Sequence, residues 1–99
     1  MDYTKPNETG YTIYSKSGCK YCTMVKDFLK KENIEYIIVD CDEYLIANKA
    51  SFVSFVNGYA GKDTGGFPKV FKGKEFIGSY KETKEHVVKI LLFEEDFDF

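Results

Sequence analysis

The chain has 99 residues, 43% hydrophobic and 30% charged, which suits one globular domain and not a disordered chain. A net charge of −2 argues against a general nucleic-acid binder. The longest apolar run, about four residues around Tyr36–Val39, is far short of a membrane span. All 14 cations are lysine, so two-pronged guanidinium recognition of phosphate is excluded.

No apolar segment follows Met1-Asp2-Tyr3-Thr4-Lys5-Pro6, so no secretory leader is expected, and residues 1–10 read as a polar lead-in. Tyr11–Ser15 is β-rich and predicts a first strand. Ser17-Gly18 ends it. Val25, Phe28 and Leu29 then fall at i, i+3, i+4 and predict a helix from about Cys19 to Lys31. Ile34–Asp40, β-branched and aromatic, predicts a second strand. Leu45, Lys49, Phe52, Val53 and Val56 mark a second helix with Asp42 as its N-cap. Asn57–Gly66 contains four glycines and reads as a loop. Gly73-Lys74 between strand-like runs, from Pro68 to Ile77, signals a hairpin. Gly78-Ser79 leads into a last helix with Val87, Val88, Leu91 and Leu92 on one face.

The order is β-α-β-α-β-β-α in a single domain, 1–99. The first two strands, joined by a helical crossover, are parallel and the last two antiparallel. The fold class is α/β: a four-stranded mixed sheet flanked by helices. Residues 94–99 form an acidic and aromatic tail, expected to fray rather than dock. Three cysteines, an odd number without an export signal, fit thiol chemistry in a reducing compartment better than a disulfide framework. We expect a cytoplasmic monomer.

Cys19-Lys20-Tyr21-Cys22 sits where the first strand gives way to the first helix. The opening turn of a helix has free backbone N–H groups and a partial positive charge. Both favour a thiolate, which is the nucleophile. Lys16 and Lys20 add positive charge. Cys19 is therefore expected to ionise below the free-thiol value of about 8.5. Cys22, one turn further in, is expected to be more shielded and able to attack a mixed disulfide formed on Cys19. The competing readings are an inert buried pair and half of a zinc site. Zinc needs two further ligands, and Cys41 and His86, the candidates, lack partners at ligand spacing. We expect no metal site, a free Cys41, and an exposed, structural His86.

Three segments, from about Tyr11 to Leu92, make the chain resemble a glutaredoxin. Tyr14-Ser15-Lys16-Ser17-Gly18-Cys19-Lys20-Tyr21-Cys22 resembles the family's Ser-Lys…Cys-Pro-Tyr-Cys segment. Phe67-Pro68-Lys69-Val70-Phe71 resembles Thr-Val-Pro-x-Val-Phe, and Gly78-Ser79-Tyr80-Lys81-Glu82 resembles Gly-Gly-x-x-Asp. The resemblance implies a thioredoxin-like fold, glutathione as co-substrate, and disulfide-bonded or glutathionylated proteins as substrates. It implies a cis bond before Pro68, with the Phe67 backbone pairing with the cysteine of glutathione as an added strand. It implies that Lys16 meets the glycyl carboxylate, helped by Asn57 or Lys62, and that Tyr21 flanks the thiol. It also implies that amides from Gly78 and Ser79 through Tyr80 and Lys81 bind the γ-glutamyl carboxylate, and that Glu82 holds its amine.

The departures are Lys20 for the family's proline, Gly66-Phe67 for Thr-Val, Ser79 for the second glycine, Glu82 for aspartate, and a longer Asn57–Gly66 segment. Members lacking that proline include proteins that share an iron–sulfur cluster between subunits. A glutathione-assisted cluster carrier is thus the alternative reading. A third is a redoxin fed by thioredoxin reductase and serving ribonucleotide reductase, which Lys16 and Gly78-Ser79 disfavour.

Overall fold

The computed structural model describes residues 2–96. Its elements are β1 (Tyr11–Ser15), α1 (Lys20–Lys31), β2 (Tyr36–Asp40), α2 (Asp42–Ala60), β3 (Lys69–Lys72), β4 (Glu75–Gly78) and α3 (Tyr80–Asp96). The sheet order is β2-β1-β3-β4. β1 runs parallel to β2 and antiparallel to β3, and β3 runs antiparallel to β4. This is the thioredoxin-like arrangement expected.

β1 is central, and all five of its residues are buried. Its alternation divides the core in two. Tyr11 and Ile13 face α1 and α3, packing with Val25, Leu29, Val70 and Val87. Tyr14 faces α2, packing with Val39, Cys41, Phe52, Val56 and Phe71. Phe52 is the hub of that second layer. Its ring meets those of Tyr3, Tyr14, Tyr44 and Phe67 at centroid distances of 5.5, 6.1, 5.2 and 6.4 Å.

Several local expectations are corrected. The N-terminal stretch is not merely polar; it straps across the α2 side. The Tyr14 hydroxyl donates to the Thr4 carbonyl at 2.6 Å, Asn7 N–H donates to Thr12 Oγ1 at 2.9 Å, and Tyr3 packs edge-on against Tyr44. β2 begins at Tyr36, two residues later than expected, and as an edge strand it leaves Ile37 and Ile38 exposed.

Asp42 is the first residue of α2 and not its cap. Cys41 holds the cap position without a side-chain bond, and Asp40 Oδ1 accepts from the Asp42 amide instead. α2 breaks at Asn48 (φ −165°, ψ 88°), whose Oδ1 takes the Ser51 amide at 3.0 Å and so caps a second helical segment. Only that second segment is buried deeply, through Phe52 and Val56. It continues to Ala60, past the expected loop start, and ends at Gly61 in the left-handed region (φ 75°).

α3 buries Thr83 and Val87, but Val88, Leu91 and Leu92 are exposed. The helix keeps its contacts with α1 and β4, and beyond Val87 its residues Ile90 and Leu91 border an open hollow with Tyr11, Ile34 and Lys72. Its backbone stays helical to Asp96, into the stretch expected to fray; residues 97–99 of that tail lie outside the described residues. His86 is half-buried, its Nδ1 2.8 Å from the Tyr11 hydroxyl.

Candidate active site

Residues Lys16-Ser17-Gly18 turn the chain from the end of β1 into α1, with Gly18 at φ 68°. A carboxylate from α2 holds this turn. Asp42 accepts from the Ser17 amide at 2.9 Å and, through its other oxygen, from the Ser17 hydroxyl. These donors hold the Asp42 carboxyl below its ordinary value of 3.8. Sequence reasoning missed this anchor because it assigned Asp42 to its own helix.

The turn delivers Cys19 to the N-cap of α1, in extended conformation. Its Sγ accepts the Cys22 amide at 3.2 Å, a thiol filling the role that serine or aspartate usually takes at a helix start. Cys19 and Cys22 are joined as a disulfide, their Cα atoms 5.2 Å apart. Cys22 is 1% exposed, whereas Cys19 is half-buried and borders an open polar hollow with Lys16, Ser17, Thr23 and Lys26. The two sulfurs therefore differ in access. Cys41 is free and buried on the other face of the sheet. Burial pushes its thiol up to about 12.

A second hollow, of about 410 Å³, gathers the other two motifs. Lys62 to Phe67 form one wall, and Phe76 to Ser79 with Glu82 form the other. The Phe67–Pro68 peptide is cis, and Pro68 is buried at the foot of the wall. Lys16 Nζ lies 6.0 Å from the Phe67 ring centroid, linking the two hollows. Tyr21 is exposed and stacks on Tyr80 at 6.1 Å. Lys81 points to solvent and lines neither hollow. Asn57 is committed elsewhere: its Oδ1 takes both the amide and the hydroxyl of Thr64, at 2.9 and 2.7 Å.

The start of α3 is partly self-satisfied. Glu82 Oε1 accepts the Ser79 amide at 2.9 Å, half of a capping box. Gly78 makes room for this, since a Cβ there would stand 2.7 Å from Glu82 Cβ, and its φ of +135° suits only glycine. The first-turn amides of Tyr80 and Lys81 have no helical carbonyl to meet.

The glutaredoxin family model matches residues 11–77, a span that holds the cysteine pair, the cis proline and all of the sheet but its last residue, Gly78. The chain belongs to the glutaredoxin family. It is 33% identical over 73 residues to the mitochondrial glutaredoxin-2 of Pongo abelii, covering 72% of this chain and 42% of that protein. The Bos taurus protein of the same name is 31% identical over 71 residues, covering 72% and 43%. The chain thus spans less than half the length of these relatives. Among solved structures, Francisella tularensis glutaredoxin 1 has a TM-score of 0.70 at 30% identity, covering 82% of this glutaredoxin chain and 94% of its own. The holo form of glutaredoxin C1 from Populus tremula x tremuloides has a TM-score of 0.66 at 27% identity, covering 87% and 81%.

Among the described residues no three His, Cys, Asp or Glu side chains gather as a metal site. No helix among the described residues is long and apolar enough to cross a membrane.

Proposed function

We propose that this glutaredoxin is a glutathione-dependent thiol–disulfide oxidoreductase, with glutathionylated and disulfide-bonded proteins as substrates. The observation that carries the reading is the unequal access of the two sulfurs, combined with the Cys22 amide directed at Cys19 Sγ. In the reduced enzyme the Cys19 thiolate attacks the glutathione sulfur of a mixed disulfide. A bond forms between Cys19 and glutathione, and the protein thiolate leaves and takes up a proton. A second glutathione thiolate then attacks the bound glutathione sulfur, yielding glutathione disulfide and free Cys19. With a protein disulfide, Cys22 displaces the substrate thiol from Cys19, forming the bridge that glutathione later reduces.

Glutathione suits the second hollow in three respects. The Phe67 backbone offers a strand edge for its cysteinyl unit. Lys16 beside the Phe67 ring suits its glycyl carboxylate. The amides of Tyr80 and Lys81 suit its γ-glutamyl carboxylate, while the Ser79 amide, which the resemblance implies shares that role, is engaged by Glu82. The buckwheat neighbour, 22% identical, is a complex with glutathione and shares the fold. The cytoplasmic setting expected from the sequence gains no support from the relatives, which are named as mitochondrial.

Glutathione-coupled turnover of a glutathionylated peptide tests the reading. Cys19→Ser is expected to abolish it and Cys22→Ser to retain much of it. An active Cys19 variant beside a dead Cys22 variant overturns the assignment.

A further inference from the structure

Lys69, at the start of β3, is 1% exposed. Its ammonium donates to Thr64 Oγ1 at 3.0 Å and to the Gly65 carbonyl, and stands 5.0 Å from the Phe67 ring centroid. Both oxygen acceptors are uncharged. The Thr64 hydroxyl in turn spends its one proton on Asn57 Oδ1 at 2.7 Å, so its lone pairs are left to accept from Lys69. The relay Lys69–Thr64–Asn57 ties the Gly61–Phe67 loop to β3 on one side and to the end of α2 on the other. That loop is the glycine-rich wall of the second hollow; its amides at Gly61, Lys62 and Thr64 are held by Asn57 and that of Gly65 by Asp63, and the Lys69 ammonium adds the tie from β3.

Burying an ammonium against neutral oxygens is a poor way to gain stability, because the lost hydration outweighs what uncharged acceptors return. Burial depresses its pKa, and the Asp63 carboxylate offsets this only in part. A methionine would fill the same space more cheaply. The charge is therefore better explained by what it orients than by what it stabilises.

We propose that Lys69 is a positioning residue: its buried ammonium holds the Thr64–Phe67 wall so that the Phe67 backbone is presented to the glutathionyl group of the substrate. It touches neither the substrate nor the reacting sulfurs. The proposal rests on the glutathione reading above for its substrate, and on the geometry alone for the ordering of the wall.

The test uses the full chain with Lys69→Met and, separately, Thr64→Val. Each is expected to raise KM for a glutathionylated peptide by about tenfold, the weight of one hydrogen bond to a charged group. The kcat and the rate of Cys19 alkylation stay within about twofold of wild type, and the double variant is no worse than either single one. Tm of Lys69→Met is expected to be unchanged or raised, which a structural lysine would not give. Hydrogen exchange at the Gly65, Gly66 and Phe67 amides is expected to accelerate in both variants. Unchanged KM in a folded variant, or unchanged exchange, overturns the proposal. Should wild type show no glutathione turnover, the substrate reading fails, and the exchange measurement still decides the ordering role. Thr64→Val keeps both arms open if Lys69→Met does not fold.

Discussion

The backbone amide of Cys22 points at the sulfur of Cys19 from 3.2 Å, one helical turn away. The bond forms because Cys19 occupies the N-cap, where the following amides have no carbonyl of their own. In the reduced protein the same donor meets a thiolate better than a thiol. Iodoacetamide labelling of Cys19 is expected to titrate at lower pH than labelling of an unstructured cysteine peptide. An inflection at or above the peptide's contradicts the mechanism.

Cys41 is expected to behave oppositely. Its Sγ donates to the Val39 carbonyl at 3.4 Å within an apolar cluster, and burial moves its pKa from 9.0 to about 12. The native protein keeps this proton longer than the unfolded chain does. The associated stability is thus complete below about pH 9 and declines as pH rises toward 12. Tyr14, also shifted upward by burial, acts in the same direction. At pH 8 Cys41 should resist iodoacetamide until denaturant is added, and Cys41→Ala should flatten alkaline unfolding.

The Asp42–Ser17 tie is expected to fail in acid. The folded carboxyl is depressed below 3.8, so its contribution is present above that value and lost as pH falls through the lower folded pKa. The Ser17 amide resonance should shift in that acid window. Asp42→Ala should release the Lys16–Cys19 turn at neutral pH and lower kcat/KM by several-fold, about the effect of one misaligned contact. An unchanged kcat/KM would show that the turn needs no anchor.

Gly78 and Glu82 form a steric pair. Gly78→Ala is expected to cost about 2 kcal/mol or more, from the positive φ and the clash with Glu82. Glu82→Ala alone should cost about 1 kcal/mol through loss of the Ser79 bond. Together they should cost somewhat less than their sum, since the second removes Glu82 Cγ and Oε1, two of the three atoms the first collides with, while Cβ remains. Thermal unfolding of the four proteins is the measurement.

Phe52→Ala should destabilise by about 3–5 kcal/mol, because four other rings converge on this fully buried side chain. Urea unfolding reads this directly, and a loss below about 1 kcal/mol would mean that the cluster repacks.

The strand-to-helix junction at Cys19 and the hairpin at Gly73-Lys74 were legible because each depends on neighbours in sequence. So was the element order, since strand and helix periods differ plainly. The break at Asn48 was not, because asparagine inside an apolar pattern is compatible with either a continued helix or a fresh cap. The stripe Val87, Val88, Leu91 and Leu92 on α3 was legible as one face, but a periodic stripe does not say how much of itself is covered, and of the four only Val87 is buried. At the site, Asp42 and Lys69 were misread or passed over for a shared reason. Their partners, Ser17 for the one and the Thr64 hydroxyl and Gly65 carbonyl for the other, are displaced in sequence or carry no charge, so no spacing rule points to them.

The strap ahead of β1 bears on where this domain should be cut. The family match opens at Tyr11, yet excision there would leave the Tyr14 phenol without its acceptor on Thr4 and peel Tyr3 from the ring of Phe52. For this glutaredoxin, a recombinant boundary drawn from homology alone would remove part of the hydrophobic interior.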